Sequence, residues 1–266
     1  MYNIIKSLNY SARHDIVNIL TIISMFGIPA FVMYIKGLID VDSTQKLTPS
    51  IYFASETMAV VFVFLQFGIM ILASRLVAGD AGDKTINYEF MSGHSRKEIF
   101  AGRITAGFLW GSVISFITVI TPLFYLEAFY GWGPETSKEN VILRCILLFF
   151  PIIRLTAFNI MLASVSRSAG KGIALGYTAM MVVAIVTSTI QEFTGKEISY
   201  PTGMTNAALL LTSKNSRNVV MDGNTVTLFD TAISGEMIYK TILFSLVFTI
   251  IYLVITYMDI KKKDRD

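Results

Sequence analysis

The chain has 266 residues, of which 53% are hydrophobic and only 15% charged, with a mean hydropathy of +0.59 and a formal net charge of +3. A soluble domain carries about 25% charged residues, so this composition excludes that class and defines an integral membrane protein. One cysteine (Cys145) and two histidines (His14, His94) exclude a disulfide framework within the chain and leave almost no basis for a metal site; neither an HExxH helix nor a GxSxG elbow occurs.

Residues 1–13 place Ile4, Ile5 and Leu8 on one helical face and Lys6, Asn9 and Arg13 elsewhere, without a signal-peptide cleavage pattern, which predicts an interfacial helix. The first span is predicted over 16–35, since about twenty residues at 1.5 Å each cross a hydrocarbon core of about 30 Å. A second span over 51–78 carries Glu56 near one end and Gln66 near its middle. The third, over 99–126, includes Gly107 and Gly111, a pair spaced for close helix approach, and Tyr130 and Trp132 follow at an aromatic-belt position. The fourth, over 141–165, holds Arg144 near one end, Arg154 near the middle and Pro151 beside it. The fifth, over 172–190, opens on Ser168, Gly172 and Gly176, a small-residue stripe that suits packing inside one subunit or at a dimer interface. Residues 191–236 are predicted to form a long outer loop in which Val219–Leu228 alternates around Asp222–Gly223 as a β-hairpin does. The sixth span, over 237–258, ends in a KKKDR tail suited to the cytoplasmic leaflet. The predicted fold is therefore all-α, with six membrane spans and a small outer hairpin.

An even number of spans puts both termini on one side. With that side cytoplasmic, thirteen Lys and Arg lie inside and eight outside, as the positive-inside bias requires. Eleven acidic residues then face outward and leave that side with a net charge of −3. Mid-membrane Arg154 must face a partner or water, so it is read as either a helix lock or part of a substrate path shared with Gln66.

The longest polar interval on the inner side is Gly79–Arg103, GDAGDKTINYEFMSGHSRKEIFAGR, which reads as helix, break, helix. Asp80 and Asp83 suit the first turn of a short helix, Gly93 suits its left-handed terminus, and Ser95-Arg96-Lys97-Glu98 spells a capping box that launches the third span. Ile86 and Phe90 share one face while Tyr88 and Met91 point elsewhere, the pattern of an element contacted on two sides. GDAGDKT is not a phosphate loop: the Walker pattern needs glycine directly before Lys84, where Asp83 stands and would repel phosphate.

An acid (Asp80), four residues, Thr85-Ile86, then Gly93-x-Ser95-Arg96 and a basic residue (Arg103) opening a span resemble the coupling-helix region, here 79–98, of type-2 ABC transporter permeases. Asp80 stands where the family usually has glutamate, Lys84 where it has glycine, and Arg103 where lysine is common. The whole layout is similar to the small permeases of bacterial peptide-toxin export, including phenol-soluble modulin exporters, and of bacteriocin immunity. That resemblance implies a permease homodimer in the bacterial plasma membrane, joined by a pair of separate ATPase subunits that bind ATP and Mg, with no cofactor on this chain. It assigns ATPase coupling to Asp80, Asp83, Thr85, Ile86, Tyr88, Glu89, Phe90, Ser95 and Arg96, and implies membrane lipids and a peptide cargo as partners, with no nucleic acid. Exporters of lipids or drugs share the layout. A stand-alone secondary transporter or channel would need ion-coupling acids within the spans, where the chain offers little beyond Glu56 and the uncharged Gln66; an enzyme would need a nucleophile and base, and no recognisable pair occurs.

Overall fold

The computed structural model describes residues 2–39, 47–55, 57–78, 91, 93, 95–195, 198–200, 202–213, 215–221 and 223–262, without the side chains of 36–39, 96, 260 and 262. Helix α1 (Tyr2–His14) leads into α2 (Ile16–Ile39), followed by short α3 (Pro49–Ala54) and α4 (Thr57–Ala78). A continuous helical rod then consists of α5 (Arg96–Phe108), a π-helical segment Leu109–Val113 and α6 (Ile114–Tyr130). After α7 (Lys138–Ser166) and α8 (Ala169–Thr194) come α9 (Gly203–Leu211), strands β1 (Ser216–Met221) and β2 (Asn224–Phe229), and α10 (Gly235–Lys262).

Among the described residues six helical stretches are long and apolar enough to span a membrane. Helix α1 and the last turns of α10 both meet the start of α5, at what is called here the α1 end of the bundle, and the hairpin bonds to Glu135 beyond the far end of the rod. Four spans match the expected ones, extended by a turn or less at each end. The second is shorter than 51–78, because Thr48 caps a helix opened by Pro49, and Ser55 closes it before α4 begins at Thr57. The third is longer, because its π segment lets one rod run from Arg96 to Tyr130 without a break.

Helix α7 is the axis of the bundle, packed against α4, the α5–α6 rod, α8, α9 and α10. Glycines let two of these neighbours come close. A Cβ on Gly107 would lie 2.8 Å from Ile160 Cδ1, and one on Gly111 2.7 Å from Thr156 Cγ2, so this pair seats the rod on α7. On the other flank, a Cβ on Gly172 would lie 2.8 Å from the Ala163 Cα, and one on Gly176 2.6 Å from Asn159 Oδ1. At Gly172 and Gly176 the stripe is thus filled by α7 of the same chain, the intra-subunit one of its two readings, while Ser168 caps the first turn of α8. A small residue is needed at Gly172 because a backbone, which cannot move aside, occupies the space.

The 191–236 segment is more than a polar loop. Its α9 buries Asn206, Ala207, Leu210 and Leu211 in the main core, with Gly203 against Leu155 and the Pro151 carbonyl, so the chain re-enters the bundle beside α7. The hairpin forms as predicted, with Met221 opposite Asn224 and Gly223 at φ +80°, a value that glycine adopts without a Cβ clash.

Gly172→Ala is expected to lower stability by about 1–3 kcal/mol through overpacking, whereas Gly27→Ala, which meets nothing within 4 Å, should be neutral or slightly stabilising. Thermal unfolding in detergent at several protein concentrations checks this; a loss that vanishes on dilution would place the Gly172 contact between copies.

Candidate functional site: a braced junction and buried arginines

At the α1 end, α4 finishes and α5 begins on either side of the 79–94 segment, and side chains from three directions tie these ends together. The last carbonyls of any helix lack intrahelical donors. Here Arg103, only 3% exposed, donates from Nη1 to the Val77 carbonyl at 3.0 Å and the Leu76 carbonyl at 3.5 Å, so a side chain of α5 caps the end of α4. The charge sits at the negative end of the helix dipole, which favours it. The start of α5 carries the full capping box: the Glu98 N–H donates to the Ser95 hydroxyl and the Ser95 N–H to the Glu98 carboxylate. Gly93 adopts φ +81°, the left-handed value expected where a helix ends.

Helix α1 completes the junction. Ile4 and Leu8 pack on Ile99 and Ala106, with Ile4 filling the space above Gly102. Trp110 Nε1, in the π segment, donates to Asn9 Oδ1 at 2.7 Å, and Arg75 near the end of α4 pairs with Asp15 at 2.6 Å. The sequence showed α1 as an amphipathic helix but gave no partner for its apolar face; the signals were Gly102 and Trp110, uninformative until placed beside α1. Of the coupling residues expected from the sequence, Asp80, Asp83, Thr85, Ile86, Tyr88, Glu89 and Phe90 lie outside the described residues. Ser95 is in the cap, and Arg96 opens α5 with its side chain not described.

Two further arginines project from α7. Arg144, 5% exposed, donates to five carbonyls: Thr231 from Nε at 2.9 Å, Leu209, Leu210 and Thr212 from Nη1, and Ala232 from Nη2. It therefore caps the end of α9 and anchors the approach to α10. Near the membrane middle, Arg154 is 2% exposed; it donates to the Tyr200 carbonyl at 2.9 Å, shares a hydrogen bond with Tyr252, and lies 4.2 Å from the Phe248 ring centroid. These contacts join α7, the approach to α9 and α10, so Arg154 locks helices in this conformation. It also lines a cavity of about 150 Å³. Gln66 is 3% exposed in α4 and does not line that cavity. A second, more polar cavity of about 540 Å³ lies under the hairpin, lined in part by Glu135, Asn140, Arg217 and Asp230.

Among the described residues, six spans with two braced helix ends at one face make a multi-span membrane bundle. The chain belongs to the ABC-2 transporter family: the family model described as ABC-2 family transporter protein matches residues 16–265. It is thus a multi-pass permease subunit and not a catalytic domain, and the family implies pairing with an ABC ATPase. No curated protein and no solved structure matches the chain.

Arg144→Met should strand several buried carbonyls, each worth about 1–3 kcal/mol when left unsatisfied, and release α9 and its flanks. Hydrogen exchange is expected to rise across 203–212 and 231–234, and to stay unchanged in Arg217→Met, whose side chain is exposed. Equal protection in both variants would mean that other contacts hold α9.

Proposed function

We propose that the chain is the permease of a bacterial plasma-membrane exporter that works as a homodimer with a pair of separate ATPase subunits, and that its cargo is an amphipathic peptide, in toxin export or self-immunity. Both termini and the α1 end face the cytoplasm in this reading, as the excess of Lys and Arg on that side favours. ATP and Mg bind the partner ATPase, whose contact surface is the 79–98 region. The hairpin and the outer excess of carboxylates face the exit, where a net negative field favours the arrival of cationic groups over a range limited by salt to about 8–10 Å.

The observation that carries this proposal is the brace on both sides of the 79–94 segment. Arg103 joins the end of α4 to α5, and the Ser95–Glu98 box stiffens the start of α5. A push on that segment by a docked ATPase would therefore move α4 and the α5–α6 rod together rather than being absorbed in a slack loop. The rod continues unbroken to Tyr130, so displacement at one face of the bundle reaches the other.

In the reconstituted permease with its ATPase, Phe90→Asp is expected to abolish peptide-stimulated hydrolysis and partner pull-down while leaving insertion intact. Arg103→Leu should keep the partner but lower transport per ATP by about tenfold, the factor lost with roughly 1.4 kcal/mol of coupling. Retention of stimulated hydrolysis and pull-down in Phe90→Asp would refute docking through this segment. For topology, cysteines at Ser43 and Asn224 should react with an impermeant reagent in intact cells and one at Ser92 should not, in a Cys145→Ala background; labelling at Ser92 sinks the orientation.

A further inference from the structure

The cavity at Arg154 has a structure that the coupling junction does not explain. Its floor is α7, with Arg154, Leu155 and Phe158; one wall is α8, with Ala179, Met180 and Val183; Tyr252 of α10 stands opposite. The N-cap and first residues of α9, Thr202 to Met204, close one end. Helices α8 and α10 each pack on α7 without an extended contact with each other. Both carry exposed apolar side chains close in sequence to the lining residues Val183 and Tyr252, including Val182, Ile185 and Val186 on one and Ile250, Ile251 and Val254 on the other. The groove between them is therefore bordered by surfaces suited to lipid. Arg154 lies twelve residues before the end of α7 at Ser166, about 18 Å along the axis and so deep in the hydrocarbon layer.

A volume of about 150 Å³ is what an engineered apolar protein cavity uses to take up one benzene molecule, so this one accepts a short run of aliphatic carbons or a single apolar side chain. Leu155, Phe158, Val183 and the adaptable Met180 and Met204 supply matching walls. At one edge stands a fork of N–H donors whose charge persists at any physiological pH. An anionic oxygen brought to that edge gains a charge-assisted hydrogen bond at a depth where water does not compete.

We propose that this cavity is a membrane-depth binding site for an apolar chain that ends in an anionic oxygen, entering sideways between α8 and α10, with Arg154 receiving the acidic group. The chemistry is shared by the carboxylate or phosphate of a single-chain lipid and the C-terminal carboxylate of an apolar peptide. Arg154 has two states in this scheme. Without ligand it holds α7, the Tyr200 carbonyl and α10 together; with ligand, part of its donor fork turns to the acid and the hold on α10 is shared. The site would give the proposed exporter a way to carry a carboxylate across the hydrocarbon layer beside a fixed positive charge.

The purpose of the site rests on the transport reading, but binding is measured on the full-length permease alone in nanodiscs, so the two can fail separately. The probes are diazirine-bearing palmitic acid, the matching diazirine alcohol, and a photo-leucine peptide with a free or an amidated C-terminus. Cross-links are expected on Met180 and Met204, with about a tenfold preference for acid over alcohol or for free over amidated peptide, the factor one charge-assisted hydrogen bond supplies. Arg154→Gln should erase the preference while the apolar chain still labels the cavity. Ala179→Trp, which fills the cavity and keeps the arginine, should remove labelling by every probe; near-native unfolding temperature shows that it has folded. A preference in the palmitate pair alone assigns the site to lipid, and one in the peptide pair alone assigns it to cargo. Equal labelling by acid and alcohol and by both peptides, or cross-links outside the cavity, overturns the proposal. Failure of ATPase stimulation with intact acid-selective labelling would instead count against the exporter reading.

Discussion

A guanidinium buried in an apolar bundle keeps its charge and must find oxygen acceptors, and this fold is arranged around that requirement. Arg103, Arg144 and Arg154 each donate to backbone carbonyls outside their own helix, and in two cases those include the last of another helix. Both sides of the contact need it, because terminal carbonyls carry the negative end of the helix dipole and lose their water on burial. The arginine and the helix end solve each other's problem at the same point. As a result the end of α4 is fixed to α5, and α9 is fixed to α7, by contacts that carry direction as well as attraction.

Around these fixed points the packing is uneven. Helix α7 is gripped from two sides through Gly107 and Gly111 on the rod and Gly172 and Gly176 on α8; a Cβ would meet the backbone of α7 at Gly172 and its side chains at the other three. Helices α2, α8 and α10 are only one-sided partners and leave broad apolar faces outward. In a bilayer such faces need no further cover, since lipid tails are as apolar as the side chains they meet. The stiff part of the molecule is therefore the α4, rod and α7 group, and the boundary most able to open is the one between α8 and α10, which share α7 but little else.

That division suits the work proposed for an ABC-2 permease. Force entering at the 79–94 segment would arrive at the stiff group, braced by Arg103, the Ser95 cap and the α1 clamp of Asn9, Asp15 and Ile4. The softer boundary carries Arg154, whose bonds cross from α7 to the approach to α9 and to α10. A relative movement of these two parts would act first on that arginine.

Membrane class, the six spans, the helix at α1, the Ser95–Glu98 box and the hairpin with Gly223 in its turn were legible in the residues themselves, because each depends on local hydropathy, periodicity or capping chemistry within a few positions. The type-2 ABC resemblance was legible for the same reason, resting on a short spaced pattern and a hydropathy layout. What the sequence left open was which surfaces meet. The Gly172 and Gly176 stripe has the same letters whether it faces its own α7 or a second copy, and only the position of Ala163 and Asn159 decides. Arg144 looked like a rim charge until α9, hidden in a stretch that reads as polar loop, came back into the bundle to offer it carbonyls. Helix ends and the donors that satisfy them lie 26 to 68 residues apart here, and no local pattern encodes that distance; the fold alone brings them together.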